Sequence, residues 1–234
     1  MRNTALIILI VLSVIAGGCS SSPVKTDSLP SEFSLGHHSM VTSKGRGAGQ
    51  SVHIRLRHPD SNHAVAGGAI TINGSAIPQW TTAEETRYYY YQAEGALVFD
   101  GSFQILTVSG GPDFPALVDS IRSPNGECLV TYPTITDTLS RSAGAMIRWK
   151  PLATDSVALF IRDTSQEIGS RRVVRNLDGH TSSLWVDSSE LSLLKPGPIL
   201  VTVRCSNTRI GRAGHRPYSM TVFASQAVGA WLKN

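Results

Sequence analysis

Three cysteines and seven histidines are the side chains of this 234-residue chain best suited to chemistry. Metal sites need several such ligands at short range, and the sequence has no Cys-x-x-Cys or His-x-Glu pairing. It also has no Gly-x-Ser-x-Gly elbow and no nucleotide-binding glycine loop. We therefore predict a non-enzymatic protein with no catalytic, metal-binding or cofactor-binding residues, whose histidines are a chance scatter: His37, His38, His53, His58, His63, His180 and His215.

Cys19 has the clearest chemical setting of the three cysteines. It follows Arg2, an apolar stretch over residues 5–15, and three small residues, 16–18. A positive start, a short apolar run and small residues are the three parts of a secretory signal. The run is too short to span a bilayer comfortably, since a spanning helix takes about 20 apolar residues. We expect residues 1–18 to be a signal peptide.

Ala16-Gly17-Gly18-Cys19 resembles the lipobox of bacterial lipoproteins. The resemblance implies that the Cys19 thiol receives a diacylglycerol, that the signal is cut before it, and that the new amino group is acylated. Several acyl chains on one residue supply the multiple hydrophobic signals that stable anchoring requires. Ser20 replaces the Asp that retains many lipoproteins at the Gram-negative inner membrane, which favours the outer membrane of the cell envelope.

Two other fates of the signal stay open. Cleavage after Gly18 would release a soluble protein, and an uncleaved signal would act as a short membrane anchor. The residues that follow, 19–39, are rich in Ser, Pro, Thr, Asp and Lys and show little apolar periodicity. Such a segment cannot bury enough surface to offset its ordering entropy, so we predict a flexible tether here.

The rest of the chain has the composition of an all-β protein. β-Branched residues are common, Gly and Pro recur at short intervals, and long helical patterns are absent. Asn125-Gly126 lies in the best candidate boundary, a turn sequence near the middle of the chain. We therefore predict two tandem β-sandwich modules, 40–127 and 128–234.

The first module shows short strands separated by turns. Residues 51–58 alternate between apolar and polar, as in a half-buried strand, and Asn73-Gly74 is a strong hairpin signal. Four consecutive tyrosines, Tyr88, Tyr89, Tyr90 and Tyr91, must divide between the two faces of a strand. The favoured interpretation is cross-strand packing. The alternative is that these tyrosines and Trp80 form a platform for a sugar ring or a partner.

Seven short strands between turn signals in the second module fit an immunoglobulin-like sandwich. Ile147-Arg148-Trp149-Lys150-Pro151 resembles the Trp-bearing second strand of fibronectin type III domains, and residues 194–204 resemble the turn and sixth strand of that family. The resemblance implies a scaffold for contacts with a ligand or another module, without a catalytic site. Trp149 would then fill the space between two sheets.

Cys128 and Cys205 remain as a pair once Cys19 is acylated. An even number of cysteines in an oxidising compartment is consistent with a disulfide. The pair is as consistent with two free thiols, because neither cysteine has a local signature that decides between the two states. A bond between them would stabilise the fold by roughly 4 kcal/mol in the chain-entropy model.

Charge divides unevenly between the modules. Residues 40–131 carry 6 Lys and Arg against 8 Asp and Glu, whereas residues 132–234 carry 13 against 7. The basic half is either a solvated surface or a contact for anionic lipid, polysaccharide or a partner. Nucleic acid is a poor partner for an exported chain that lacks a reader motif. The arginines concerned are Arg171, Arg172, Arg175, Arg204, Arg209, Arg212 and Arg216.

Together these features predict a lipid-anchored envelope protein that presents two β-sandwich modules for binding or a structural interaction. The expected partners are the membrane, through acylated Cys19, and another envelope protein or a polysaccharide. The alternative is a carbohydrate-active or carbohydrate-binding accessory protein that uses Trp80 and the tyrosine strand, residues 88–91. No cofactor is expected for either function.

Overall fold

A computed structural model describes residues 29–57, 65, 67–78, 97–164 and 172–234, together with the backbone of 89–91. Within these residues the chain is almost entirely β-structure, which confirms the predicted all-β class. In chain order the elements are β1 (Ser31–Thr42), β2 (Gly45–Arg55), β3 (Ile70–Ile72), β4 (Ser75–Ile77), β5 (Tyr89–Tyr91), β6 (Phe103–Val108), β7 (Leu117–Arg122), β8 (Val130–Tyr132), β9 (Thr138–Ser140), β10 (Ala145–Trp149), β11 (Ser156–Asp163), β12 (Arg172–Asp178), β13 (Ser183–Val186), α1 (Ser188–Leu191), β14 (Gly197–Ala213) and β15 (Arg216–Lys233).

One large sheet runs the length of the molecule. Its strand order is β12-β11-β14-β15-β1-β2-β5, and β9 adds an eighth strand beside the end of β15. The long antiparallel hairpin β14–β15 forms its centre, where Gly197 pairs with Leu232 at one end and Ala213 with Arg216 at the other. β1 pairs with β15 in parallel, so the beginning and the end of the described chain lie side by side.

Two smaller sheets pack against this large sheet. The first has the order β4-β3-β6-β7 and the second β13-β10-β8. Each closes a separate hydrophobic core. The first core contains Phe33, Leu35 and Val222, and the second contains Val203 and Ile161.

Both cores lie on the same face of the large sheet. Residues paired across neighbouring strands point to the same side of a sheet. Leu35 pairs with both Val52 and Val222, and Val203 pairs with Leu159. Val203 also pairs with Gln226 on β15, and Gln226 is four residues from Val222. Side chains an even number of residues apart on a strand point to the same face, so all these side chains share one face. The molecule is therefore two β-sandwiches that share one of their sheets.

The segment 31–39, part of the predicted tether, is a strand. Phe33 and Leu35 are buried and alternate with the half-buried Glu32 and Ser34. This period-2 pattern is that of a half-buried strand, although the Ser, Pro, Thr, Asp and Lys of residues 19–39 predicted a tether. The remaining part of the predicted tether, 19–28, lies outside the described residues, as does the predicted signal peptide.

The predicted module boundaries, 40–127 and 128–234, also differ from the packing. The first core takes Phe33 and Leu35 from before residue 40. It also takes Ala213, Tyr218 and Met220 from the end of the chain. The reason is the length of β14 and β15, 17 and 18 residues, which carries the last hairpin across both sandwiches.

Two local sequence features, the Asn-Gly turn and the tryptophan of β10, are placed in the structure as predicted. Asn73 and Gly74 form the turn between β3 and β4, with φ of 51° and 81°. Trp149 is buried in the second core, and its indole Nε1 donates a hydrogen bond to the carbonyl of Thr181 at 2.8 Å. In the part of the chain that the structure describes, no helix is long and apolar enough to cross a membrane.

Candidate functional site

Several residues that the sequence singled out fall outside the described structure. Cys19, Trp80 and Tyr88 are among them. Tyr89–Tyr91 form β5, which pairs with residues 52–54 of β2 at the edge of the large sheet. Lipid attachment at Cys19 and the role of the tyrosines stay predictions.

Cys128 and Cys205 are brought together by the fold. Both are fully buried in the second core and are free thiols in the structure. Their thiols are hydrogen-bonded, and this contact, together with burial, raises the pKa of the Cys128 thiol. A thiol with a raised pKa is a weak nucleophile, so the pair has the properties of core residues.

Ionisable side chains elsewhere form structural contacts. Among the described residues, no group of three or more His, Cys, Asp or Glu is placed to hold a metal ion. The Tyr218 hydroxyl donates a hydrogen bond to Asp119, whose carboxylate is 3.0 Å from Arg209 Nε. Burial and the Asp119 contact raise the pKa of Tyr218 to about 12. This cluster ties β7 to the β14–β15 hairpin.

The candidate site lies on the face of the large sheet opposite the two cores. We call this face the outer face. The principal contacts of the large sheet with other elements are made to β7 and β8, which belong to the two smaller sheets on its core side. By strand register the outer face presents, on its central strands, His38 and Met40 of β1, Phe160 and Arg162 of β11, Thr202 and Arg204 of β14, and Phe223 and Ser225 of β15.

A hollow of about 600 Å³ opens on the outer face. It crosses five strands, from Arg162 on β11 to Ser51 on β2. Most of its lining is small or hydroxyl-bearing, and the larger side chains are few. The full lining is His38, Ser39, Met40, Gly47, Ala48, Gly49, Gln50, Ser51, Arg162, Leu200, Thr202, Ser225 and Ala227.

Arg204 lies two residues from Thr202 of the lining, on the same face of β14, and forms no ion pair with a described carboxylate. Its guanidinium carbon is 4.3 Å from the centre of the Phe223 ring and 5.4 Å from that of Phe160. Its Nε is buried and has no hydrogen-bond partner among the described residues. Burial lowers the pKa of Arg204, although a guanidinium stays charged at any physiological pH. Stacking on the rings holds this charge in place.

His38 connects the hollow to Arg204. Its Nε2 is 2.7 Å from the Ser51 hydroxyl and its Nδ1 is 3.1 Å from the Ser225 hydroxyl. The ring also meets the edge of Phe223, with centroids 5.1 Å apart. Burial and then the charge of Arg204 lower the pKa of His38. The imidazole is therefore neutral near pH 7 and acts as a polar group between two hydroxyls.

These residues make a site suited to binding an anion. Arg162 and Arg204 provide positive charge, and neither has an ion pair with a described carboxylate. His38, Ser51 and Thr202 add polar groups around the same hollow. Sequence reasoning had placed Arg204 in a basic half of the chain but missed the site. The sequence pattern that could have indicated the site is that Arg162 and Arg204 occupy the polar positions of strongly alternating strands.

Comparisons with known proteins give a limited result. No protein-family model matches the chain, and no curated protein matches it either. Among solved structures it is similar to the chicken CNTN1 FN1-FN3 domains, at 16% identity and a TM-score of 0.27, over 85% of this chain and 65% of that one. It is also similar to DIP-gamma IG1+IG2, at 10% identity and a TM-score of 0.23, over 88% of this chain and 99% of that one.

Proposed function

We propose that this chain is a non-enzymatic binding protein of the cell envelope, held at a membrane through acylated Cys19, which presents the outer face to an anionic partner. The observation that carries the binding role is the outer face itself. Both cores pack on the opposite side of the large sheet. The outer face therefore lies on the side of the large sheet that neither core covers.

The side chains on the outer face favour a binding function over catalysis. The contact between Ser51 and His38 resembles that of a nucleophile with its base. In catalytic triads, however, a carboxylate holds the second ring nitrogen, whereas His38 Nδ1 contacts the Ser225 hydroxyl. The charges of Arg162 and Arg204, which form no ion pair with a described carboxylate, would attract an anion.

The anchoring part of the proposal rests on the sequence around Cys19. Its test is metabolic labelling with a tagged palmitate in a bacterial host, followed by separation of membranes. We expect the wild-type chain and a Ser20→Ala control to carry label and to sediment with membranes. Cys19→Ser should carry no label. Label retained by Cys19→Ser would contradict lipid attachment at this residue.

The binding part is tested by photo-cross-linking in intact cells. A photoreactive phenylalanine replaces Thr202 on the outer face or, as the control, Val118, which is 73% exposed on the first small sheet. We expect discrete adducts from position 202 and none from position 118. Equal adducts from both positions, or none from position 202, would show that the outer face is not the binding surface.

A further inference from the structure

We propose that the hollow on the outer face binds the carboxylate of an acidic sugar within an envelope polysaccharide, with Arg162 and Arg204 holding the negative charge. This inference rests on the proposed function and names the class of ligand for the same surface. It is carried by two properties of the site: the positive charge of Arg162 and Arg204, which forms no ion pair with a described carboxylate, and the hydroxyl groups in the lining of the hollow.

The guanidinium charge of Arg204 favours the binding of a small anionic group. Desolvating a guanidinium is costly unless an opposite charge or hydrogen bonds replace the lost water. Arg204 is part-buried between two rings, and its buried Nε has no described partner. A planar carboxylate matches the planar guanidinium and forms two parallel hydrogen bonds with it. A bound carboxylate would therefore supply the opposite charge that Arg204 lacks among the described residues.

The position of Arg204 argues against a flat membrane surface as the ligand. Its side chain is only partly exposed and lies against Phe160 and Phe223. A lipid bilayer would meet protruding side chains first, whereas a single projecting acid group can enter the hollow. The hollow, at about 600 Å³, falls within the range of about 300–1,000 Å³ that is usual for small-molecule sites.

The lining favours a sugar over a protein segment. Protein interfaces are enriched in aromatic residues and Met at their centre. The hollow instead offers the hydroxyls of Ser51 and Thr202, and its larger apolar residues are Met40 and Leu200. A serine hydroxyl that contacts His38 retains further hydrogen-bonding capacity. Such groups pair naturally with the hydroxyls of a sugar ring.

The test is isothermal titration calorimetry of the purified full-length protein with trigalacturonate, a carboxylated trisaccharide. Maltotriose, a neutral trisaccharide, is the ligand control. We expect binding of trigalacturonate that weakens as salt is added, and no binding of maltotriose. Arg204→Gln and Arg162→Gln should each weaken binding at least about tenfold. Arg212→Gln, an exposed arginine near the end of β14, should change affinity by less than about twofold.

Folding is controlled within the same set of variants. Arg162 is exposed, so Arg162→Gln carries the test if Arg204→Gln does not fold. Arg204→Lys keeps the charge but loses the planar group, and we expect it to bind more weakly than wild type and more tightly than Arg204→Gln. Equal binding by Arg204→Lys and Arg204→Gln would overturn the assigned role of the guanidinium charge.

Three outcomes would overturn the inference as a whole. They are no binding of trigalacturonate, equal binding of both trisaccharides, and, in place of sugar binding, a preference for phosphatidylglycerol over phosphatidylcholine vesicles that Arg162→Gln and Arg204→Gln abolish. Photo-cross-linking at position 202 separates this failure from failure of the proposed function. Adducts from position 202 together with no trigalacturonate binding would leave the binding surface in place and remove only the acidic sugar.

Discussion

The guanidinium of Arg204 lies against two aromatic rings in place of a carboxylate. A guanidinium that is held by aromatic rings and partial burial, and not by a carboxylate, can still bind an incoming anion. Arg209 shows the contrasting case, because its Nε is 3.0 Å from a carboxylate oxygen of Asp119. The two arginines are five residues apart on one strand, and their surroundings suit the first to its proposed binding role and the second to a structural one.

Trp149 tests the second core at the level of one side chain. It is 2% exposed, and its indole donates to Thr181. We expect Trp149→Ala to lower the free energy of unfolding by about 3–5 kcal/mol, measured by urea denaturation. Trp231→Ala is the matched control, since Trp231 is 53% exposed and should change stability little. Similar losses in both variants would show that burial of Trp149 is not the cause.

His38 should make stability depend on pH. Burial and Arg204 lower its pKa in the folded state, while the unfolded chain keeps a value of about 6.5. As the pH falls below about 6.5, the unfolded state therefore binds a proton that the folded state resists, and the free energy of unfolding decreases. The pKa of His53 is also lowered, chiefly by burial, and adds in the same direction.

Urea denaturation at about pH 7.5 and about pH 5.5 measures this dependence. His38→Gln should show a smaller loss of stability between the two pH values than wild type. His215→Gln, which alters an exposed histidine, should show the wild-type loss. An unchanged pH dependence in His38→Gln would contradict the assigned role of burial and Arg204.

Among the elements, the β3–β4 hairpin shows how a turn sets strand pairing. Gly74 has φ of 81°, and a Cβ built there would meet nothing within 4 Å. This position therefore requires glycine because of its backbone conformation and not because of steric crowding. Gly47 on β2 also has open space around it, but its backbone lies outside the left-handed region.

These two glycines form a matched pair of substitutions. Gly74→Ala should destabilise the fold by about 1–2 kcal/mol, because an L-residue is strained in the left-handed region. Gly47→Ala should be neutral or slightly stabilising, since alanine suits an extended strand better than glycine does. Urea denaturation compares them, and a loss in Gly47→Ala equal to that in Gly74→Ala would contradict this explanation.

The elements also show what sequence reasoning could reach. Strands β10, β11 and β13 follow from their local patterns, and Asn73-Gly74 identifies its own turn. The pairing of β1 with β15 joins residues more than 180 positions apart, and no local pattern specifies such a partner. The outer-face site depends on that pairing, because His38 comes from β1 and Ser225 from β15. The site therefore could not be assembled from the sequence, although its individual strands could.

At the scale of the whole molecule, the two cores are joined by one sheet. β15 contributes Met220 and Val222 to the first core and Ala224, Ala230 and Leu232 to the second. Because β15 runs through both cores, its separation from the sheet at one end also exposes the sheet edge and the core at the other end. We therefore expect the two sandwiches to unfold together as one cooperative unit.

A substitution in one core tests this coupling through a reporter in the other. Leu35→Ala removes a fully buried side chain from the first core and should cost about 2–5 kcal/mol. With Trp80, Trp185 and Trp231 replaced by Phe, the urea transition seen by fluorescence of Trp149, in the second core, should shift by the same amount. Val118→Ala, at an exposed position, should leave it unchanged. A Trp149 transition that ignores Leu35→Ala would show that the sandwiches unfold independently.

The most direct measurement compares the chemical accessibility of the outer face in purified protein and in intact cells. Met40 on the outer face is 47% exposed and Ile105 on the first small sheet is 49% exposed, while the native Cys128 and Cys205 are buried. Met40→Cys and Ile105→Cys should react with a membrane-permeable maleimide at similar rates in purified protein. In intact cells we expect Met40→Cys to be protected and Ile105→Cys to react as before. Equal labelling of the two cysteines in cells would contradict the conclusion that the outer face is the binding surface.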